Sequence, residues 1–222
     1  PAGRGATAPA QGAGTGRTAR GAPRRGPRPF AFDGTALVGG RAAPCVSTGL
    51  LAASAPDGRP GDRDGSILPP AGAANPFLGA DGATWPLYRF HVDFVTPANS
   101  TFTLAASLAP AGYTQLCAAT RNCVPNSGGN GLDGIGDRGM FRSAYRHFAD
   151  GHEALVGTKS VSSGGVAGVR WWEINNVTTG APGFVQQSTY QPDTTWRWLG
   201  STSMDQSGDP APGYRPSTPP TS

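Results

Sequence analysis

Between Arg138 and Asp209 the chain runs through short stretches in which apolar and polar residues alternate, each stopped by a cluster of Gly, Asn, Asp, Ser or Pro. Alternation with period two is the pattern of a strand that buries one face, and breaks of a few residues leave room for hairpins but not for crossover helices. Four strands are predicted at Met140–Phe148, Glu153–Val161, Val166–Ile174 and Phe184–Tyr190, with turns at Ala149–Gly151, Ser162–Gly165 and Asn175–Pro182. Trp196–Met204 opens another strand and Asp205–Gly208 the turn after it. Four antiparallel strands in roughly 50 residues is the size of one propeller blade. Trp171, Trp172, Trp196 and Trp198 supply the bulky side chains that stacked sheets need between layers. The expected fold class is therefore all-β: antiparallel meander blades of a partial β-propeller, with disordered N-terminal and C-terminal segments. A β-sandwich uses the same alternation, and the hairpin-only connectivity favours the propeller.

Upstream, in WPLYRFHVDFV, Tyr88, Phe90, Val92 and Phe94 alternate with Arg89, His91 and Asp93, which predicts one more half-buried strand. A turn at Pro97–Asn99 leads to a weaker strand marked by Phe102, Leu104 and Leu108. Phe30 to Pro70 holds only two weak apolar runs, Ala36–Val38 and Val46–Ala53, and yields no element. No helical stripe of useful length occurs anywhere. Of the 18 Lys and Arg, six arginines fall in Pro1 to Pro29, where there is no acidic residue and little besides Ala, Gly, Pro, Thr and Gln. That segment has nothing with which to build a core face. The remainder carries twelve cations against fourteen Asp and Glu, close to neutral. An Arg-rich arm can bind nucleic acid through counterion release, but without interleaved aromatics no nucleic-acid partner is read. No apolar run reaches the roughly 18 residues of a membrane span, and no signal peptide is visible. The expected organisation is a low-complexity tail over 1–60, a partial propeller of about three blades over 61–209, and a Pro-rich tail over 210–222.

Three cysteines fit a secreted chain better than a cytosolic one. Cys117 and Cys123 enclose a loop of small and polar residues that a disulfide can close; two free thiols and a zinc pair are the alternatives, the latter against the usual ligand spacing. Cys45 is left over. Asn99-Ser100-Thr101 and Asn176-Val177-Thr178 are glycosylation sequons that matter only in a host that uses them. His91 with Asp93, and His147 with His152, fall on separate strands, and Asp133 and Asp137 lie among glycines without the spacing of a calcium loop. No metal site and no cofactor is read from these. Neither a phosphate loop nor a nucleophile elbow occurs.

DGSILPPAGAANPFLG (64–79), FHVDFVTPANSTFT (90–103), GDRGMFRSAYRHFADGHEALV (136–156), GVRWWEI (168–174) and QQSTYQPDTTWRWLGSTSMDQSGD (186–209) are long, distinctive motifs. Through them the segment from about Asp64 to Tyr214 resembles a group of large bacterial secreted proteins of uncharacterised function with β-propeller, sialidase-like repeats. The resemblance implies secretion or display on the cell surface, and it implies no established reaction. SMDQSGD (203–209) is similar to the Asp-box turn of sialidase-type propellers, which is structural. Sialidase chemistry needs arginines for the substrate carboxylate, a tyrosine activated by a glutamate, and an aspartate as acid/base. Arg142, Arg146, Tyr145, Glu153 and Asp137 are the candidates, with Arg170, Arg197 and Glu173 behind them; cross-strand ion pairing explains the same residues.

The expected function is thus a secreted or cell-surface propeller module that binds a carbohydrate or extracellular protein, with Trp85, Trp171 and Trp172 as contact candidates. A sialidase-type glycoside hydrolase, and a fragment of a larger protein without a function of its own, are the alternatives.

Overall fold

The computed structural model describes residues 26–52, 55 and 58–218. The arginine-rich tail up to residue 25 and the last four residues lie outside the described residues. In chain order the strands are β1 (Phe30–Phe32), β2 (Cys45–Ser47), β3 (Arg59–Asp64), β4 (Asn75–Leu78), β5 (Trp85–His91), β6 (Thr101–Leu108), β7 (Thr114–Gln115), β8 (Asn122–Val124), β9 (Leu132–Asp133), β10 (Ser143–His147), β11 (Glu153–Ser163), β12 (Val166–Asn175), β13 (Gly183–Tyr190), β14 (Trp196–Met204) and β15 (Pro210–Ser217). One five-residue helix, α1 (Gly34–Val38), lies between β1 and β2, its first turn capped by the Asp33 carboxylate, which accepts from the Thr35 and Ala36 amides. Among the described residues no helix is long and apolar enough to cross a membrane.

The protein is all-β and made of curled antiparallel meanders. Two four-stranded meanders of blade size, β3–β6 and β10–β13, carry the fold. They share an edge: β10 pairs in parallel with β3, from Ser143↔Gly61 to Arg146↔Asp64, so the strand order is β13-β12-β11-β10-β3-β4-β5-β6. β7 adds to the stretch of β11 that β10 does not reach. Across the joined sheet Trp85 on β5 and Trp172 on β12 are five strand spacings apart, about 24 Å in a flat sheet. Their rings nevertheless meet edge to face with centroids 4.8 Å apart, so the sheet must roll into a half-barrel.

The concave face of this half-barrel encloses the main core: Leu78, Trp85, Leu87, Tyr145, Leu155, Trp172, Ile174 and Val177 are all buried. A glycine makes room at its centre. A Cβ on Gly157 would lie 2.5 Å from Cζ2 of Trp172, its partner in register, so only glycine lets the indole lie flat on β11. The β14–β15 hairpin covers the convex face, where Met204 packs with Ala144, Phe148, Ala154 and Val156, and Trp198 with Leu116, Val124 and Ala167. The Asp205 carboxylate closes that hairpin by accepting from the Ser207 and Asp209 amides, with Gly208 at φ +95°.

The Pro-rich stretch after Asp209, expected as a tail, is an ordered strand through Ser217 and thus a correction to that expectation. Pro210, Pro212 and Pro216 share one parity, and β15 pairs on a single side, with β14. An edge strand tolerates prolines where the missing N–H groups face the open side. β5 likewise ends at His91, before the expected Val92 and Phe94. There the Asp93 carboxylate accepts from the Val95 and Thr96 amides and bends the chain into a turn.

Candidate functional site

Trp171 and Trp172 are neighbours on one strand, and the pleat sends them to opposite faces. Trp172 is 1% exposed and Trp85 0%, so both ligand-contact candidates are core residues. Trp171 emerges on the convex face beside Tyr190, and the hairpin meets it with Thr202, Pro210 and Pro212 to leave an apolar cleft of about 170 Å³. Two residues along β12 on the same face, Glu173 accepts from Gln186 Nε2 at 2.7 Å, and Ser188 stands opposite Trp171. An indole platform is therefore bordered by a carboxylate, an amide and a hydroxyl. Tyr190 is held from behind by Arg197, whose guanidinium lies 5.6 Å from its ring and 5.5 Å from that of Tyr214. A two-point bond to Asp193, both distances 2.8 Å, fixes that guanidinium.

The five catalytic candidates do not converge. Arg146 on β10 and Arg142 just before it reach the convex side, and Tyr145 between them points into the concave core, where it donates to Glu153 Oε2 at 2.9 Å. Arg142 is bound to Asp62 and Asp64 on β3, and Arg146 donates to the Met204 carbonyl at 3.0 Å. Together they latch the hairpin to the sheet. Burial, reinforced by the Glu153 hydrogen bond, pushes the Tyr145 phenol well above its ordinary value, the reverse of what a nucleophile needs. Asp137 stands in the disulfide lobe, its carboxyl held far below the carboxylate range by the Arg138 hydrogen bond, which together with Arg121 outweighs burial. An acid that remains ionised cannot protonate a leaving group near neutral pH.

Cys117 and Cys123 are joined in a disulfide with Cα atoms 5.5 Å apart, and Cys45 is a free, exposed thiol. The loop carboxylates weighed for calcium are held by arginine: Arg121 bonds Asp133 at 2.8 Å and Asp137 at 2.7 Å. Among the described residues no three His, Cys, Asp or Glu side chains gather as a metal set.

These ion pairs carry a pH dependence. Burial acts to raise the Asp64 carboxyl, and its bonds to Arg142 and Ser203 outweigh it, so Asp64, like Asp137, sits below the ordinary 3.8. A carboxyl with a depressed folded value adds stability above its unfolded value and loses it as pH falls through the folded one. The melting temperature is expected to stay level from about pH 7 to pH 5 and to fall below about pH 4, with a shallower fall in Asp64→Asn. Thermal melts across that range check this; an equally steep fall in the variant would remove Asp64 from the account.

A second cluster lies at one mouth of the half-barrel and has no counterpart among the sequence candidates. Lys159, the chain's single lysine, is 0% exposed. Its Nζ donates to Asp81 Oδ1 at 2.8 Å and to the Tyr113 hydroxyl at 3.1 Å. Arg170, its register partner on β12, is 5% exposed and donates to Gln187 Oε1 at 2.6 Å and to Thr189 Oγ1 at 3.3 Å. Burial pushes its guanidinium below the ordinary value. Beside the cluster, Asp81, Tyr113, Gln115 and residues 82–83 and 110–112 line a cleft of about 420 Å³. The available signal was a lysine inside an otherwise apolar and small-residue strand, EALVGTKSV, where a charge is costly unless it is used.

Compared with protein-family models, curated proteins and solved structures, the chain has no match.

Proposed function

We propose that this chain is a secreted or cell-surface β-module, propeller-like in its meanders, that binds carbohydrate at the Trp171 platform. The observation that carries the reading is the half-buried indole of Trp171, which shares a cleft with Tyr190 and is bordered on its own face by Glu173, Gln186 and Ser188. A sugar ring presents a C–H face that stacks on an aromatic plane, and its hydroxyls take carboxylate and amide partners around the rim. The Cys117–Cys123 disulfide supports an oxidising compartment, and the resemblance of the strand motifs to secreted propeller repeats points the same way.

Electrophoresis through gels containing soluble xylan, β-glucan or galactomannan tests the reading. At least one of these polysaccharides is expected to retard the protein, and Trp171→Ala to weaken that interaction about tenfold or more, since one well-packed aromatic contact is worth on the order of 1.4 kcal/mol or more. Its melting temperature should stay near that of the parent, because Trp171 lies outside the main core. Retardation unchanged in the variant, or absent with all three, defeats the proposal.

A further inference from the structure

We propose that Lys159 and Asp81 join in an amide bond, an isopeptide cross-link that the folded chain forms within itself. The link is separate from the Trp171 platform and does not depend on it.

Lys159 is the chain's single lysine, and on β11 it is 0% exposed. Its Nζ donates to Asp81 Oδ1 at 2.8 Å, and it lies 4.5 Å from the centre of the Tyr113 ring and 6.0 Å from that of Trp85. With a C–O bond of about 1.2 Å, the Asp81 Cγ stands between about 3 and about 4 Å from Nζ, within a small side-chain movement of a near-attack pair at about 3–3.5 Å. Both reactants are held in place. The Tyr113 hydroxyl accepts from Nζ at 3.1 Å and donates at 3.0 Å to the carbonyl of Gly82, the residue after Asp81. Trp85 Nε1 donates to the same hydroxyl at 3.4 Å and fixes it from the core side. An amine and a carboxyl group oriented in this way react as though each were present at very high concentration.

The step needs no reactant from outside the chain. A proton passes along the 2.8 Å hydrogen bond from the ammonium to the carboxylate and leaves an amine facing a carboxylic acid. The amine lone pair adds to Cγ, the Cγ–OH bond breaks, and the hydroxyl departs as water with a proton taken from the nitrogen. One C–N bond is made and one C–O bond is lost, with nothing oxidised or reduced. In open water the solvation of the two ions opposes such a condensation; here it is withheld from an ammonium with no exposed surface. Asp81 lines the cleft of about 420 Å³, which gives the departing water a way out. The bond joins residues 78 apart and fastens the β4–β5 loop of the first meander to β11 of the second.

Intact mass spectrometry of the full chain tests this. The folded protein is incubated at neutral pH, then reduced and denatured, and is expected to weigh less than its sequence by one water, about 18 Da. Lys159→Arg, which cannot form the amide, should show the full mass of its sequence. An aspartate followed by glycine, as Asp81 is, can lose the same water by closing a succinimide on its own backbone, so the position of the loss is mapped as well. Trypsin cuts after arginine and free lysine but not after an acylated lysine, and the cross-linked chain should yield one branched peptide in which 64–89 is joined to 147–170. The full mass in the unaltered protein overturns the proposal. So does a loss of water with the two peptides separate, or a loss that persists in Lys159→Arg. The mass and the branched peptide of the unaltered protein decide the matter even where Lys159→Arg fails to fold.

Discussion

Trp172→Ala should lower the free energy of unfolding by about 3–5 kcal/mol, the range for removing a large aromatic from a packed core. Trp172 joins the two halves of the rolled sheet. Its ring meets Trp85 at 4.8 Å, and Trp85 in turn meets Phe184 at 5.7 Å and Tyr113 at 6.0 Å, so one aromatic stack ties β5, β12 and β13 together with the loop before β7. Deleting the indole leaves a void between meanders whose strands pair with each other through the short parallel ladder of β3 and β10. Typical domains are stable by only about 5–15 kcal/mol, so the loss is a large share of the total. Urea denaturation measures it, and the adjacent Trp171→Ala is the internal control, with an expected cost below about 1 kcal/mol. Equal costs for the two tryptophans would mean that the sheet does not roll as described, because the roll is what places one indole inside and the other out.

The strands of the second meander were legible because their pairing is local and their alternation clean. Glu153, Val166 and Trp196 begin strands where the pattern places them. The parallel junction was not legible. β3 reads RPGDRD, a sequence of charges, proline and glycine that resembles a turn, and it becomes a central strand only because β10, some 80 residues later, lies against it. Asp62 and Asp64 then meet Arg142, a pairing that no local window contains. The candidate arginines and Tyr145 supply the residue types that sialidase chemistry needs, but period two assigns consecutive residues to opposite faces. The same rule divides Trp171 from Trp172, and it could have been applied to both from the sequence. Which tryptophan faces inward depends on how the sheet rolls, and that is decided by contacts between β5 and β12, far apart along the chain.

The mouth cluster is illegible for a related reason. Asp81, Tyr113, Lys159 and Arg170 come from four separate segments, brought together because β7 docks on β11 at Val161↔Gln115 and the roll carries the β4–β5 loop over it. The platform and the mouth cluster thus both depend on the roll: the platform needs Trp171 turned out, and the cluster needs the loop bearing Asp81 turned in.

Glu153→Ala is expected to be as damaging as the loss of Trp172, about 3–5 kcal/mol, although it removes far less apolar surface. The Glu153 carboxyl is 7% exposed and accepts three hydrogen bonds: from the Tyr145 hydroxyl at 2.9 Å, from the Thr178 amide at 2.7 Å and from the Thr178 hydroxyl at 2.7 Å. It thereby pins the loop after β12 against β10 and β11, and Arg89 grips the same loop from outside through the carbonyls of Asn176, Val177 and Gly180. Alanine would leave three donors buried without an acceptor, and each such group costs on the order of 1–3 kcal/mol. Glu153→Gln retains an acceptor and should cost less, about 1–2 kcal/mol. A double-mutant cycle of Tyr145→Phe with Glu153→Gln should show coupling of about 0.5–3 kcal/mol, as expected for groups in one hydrogen-bond network. The network also predicts an alkaline limit. Because burial and the Glu153 bond raise the folded Tyr145 phenol above its ordinary 10.0, its contribution is complete below that pH and declines as pH rises beyond it. Urea melts from about pH 8 to pH 11 should therefore show stability falling at the alkaline end in the parent and falling less in Tyr145→Phe. Identical alkaline falls, together with zero coupling in the cycle, would show that the phenol and the carboxyl do not act as a unit.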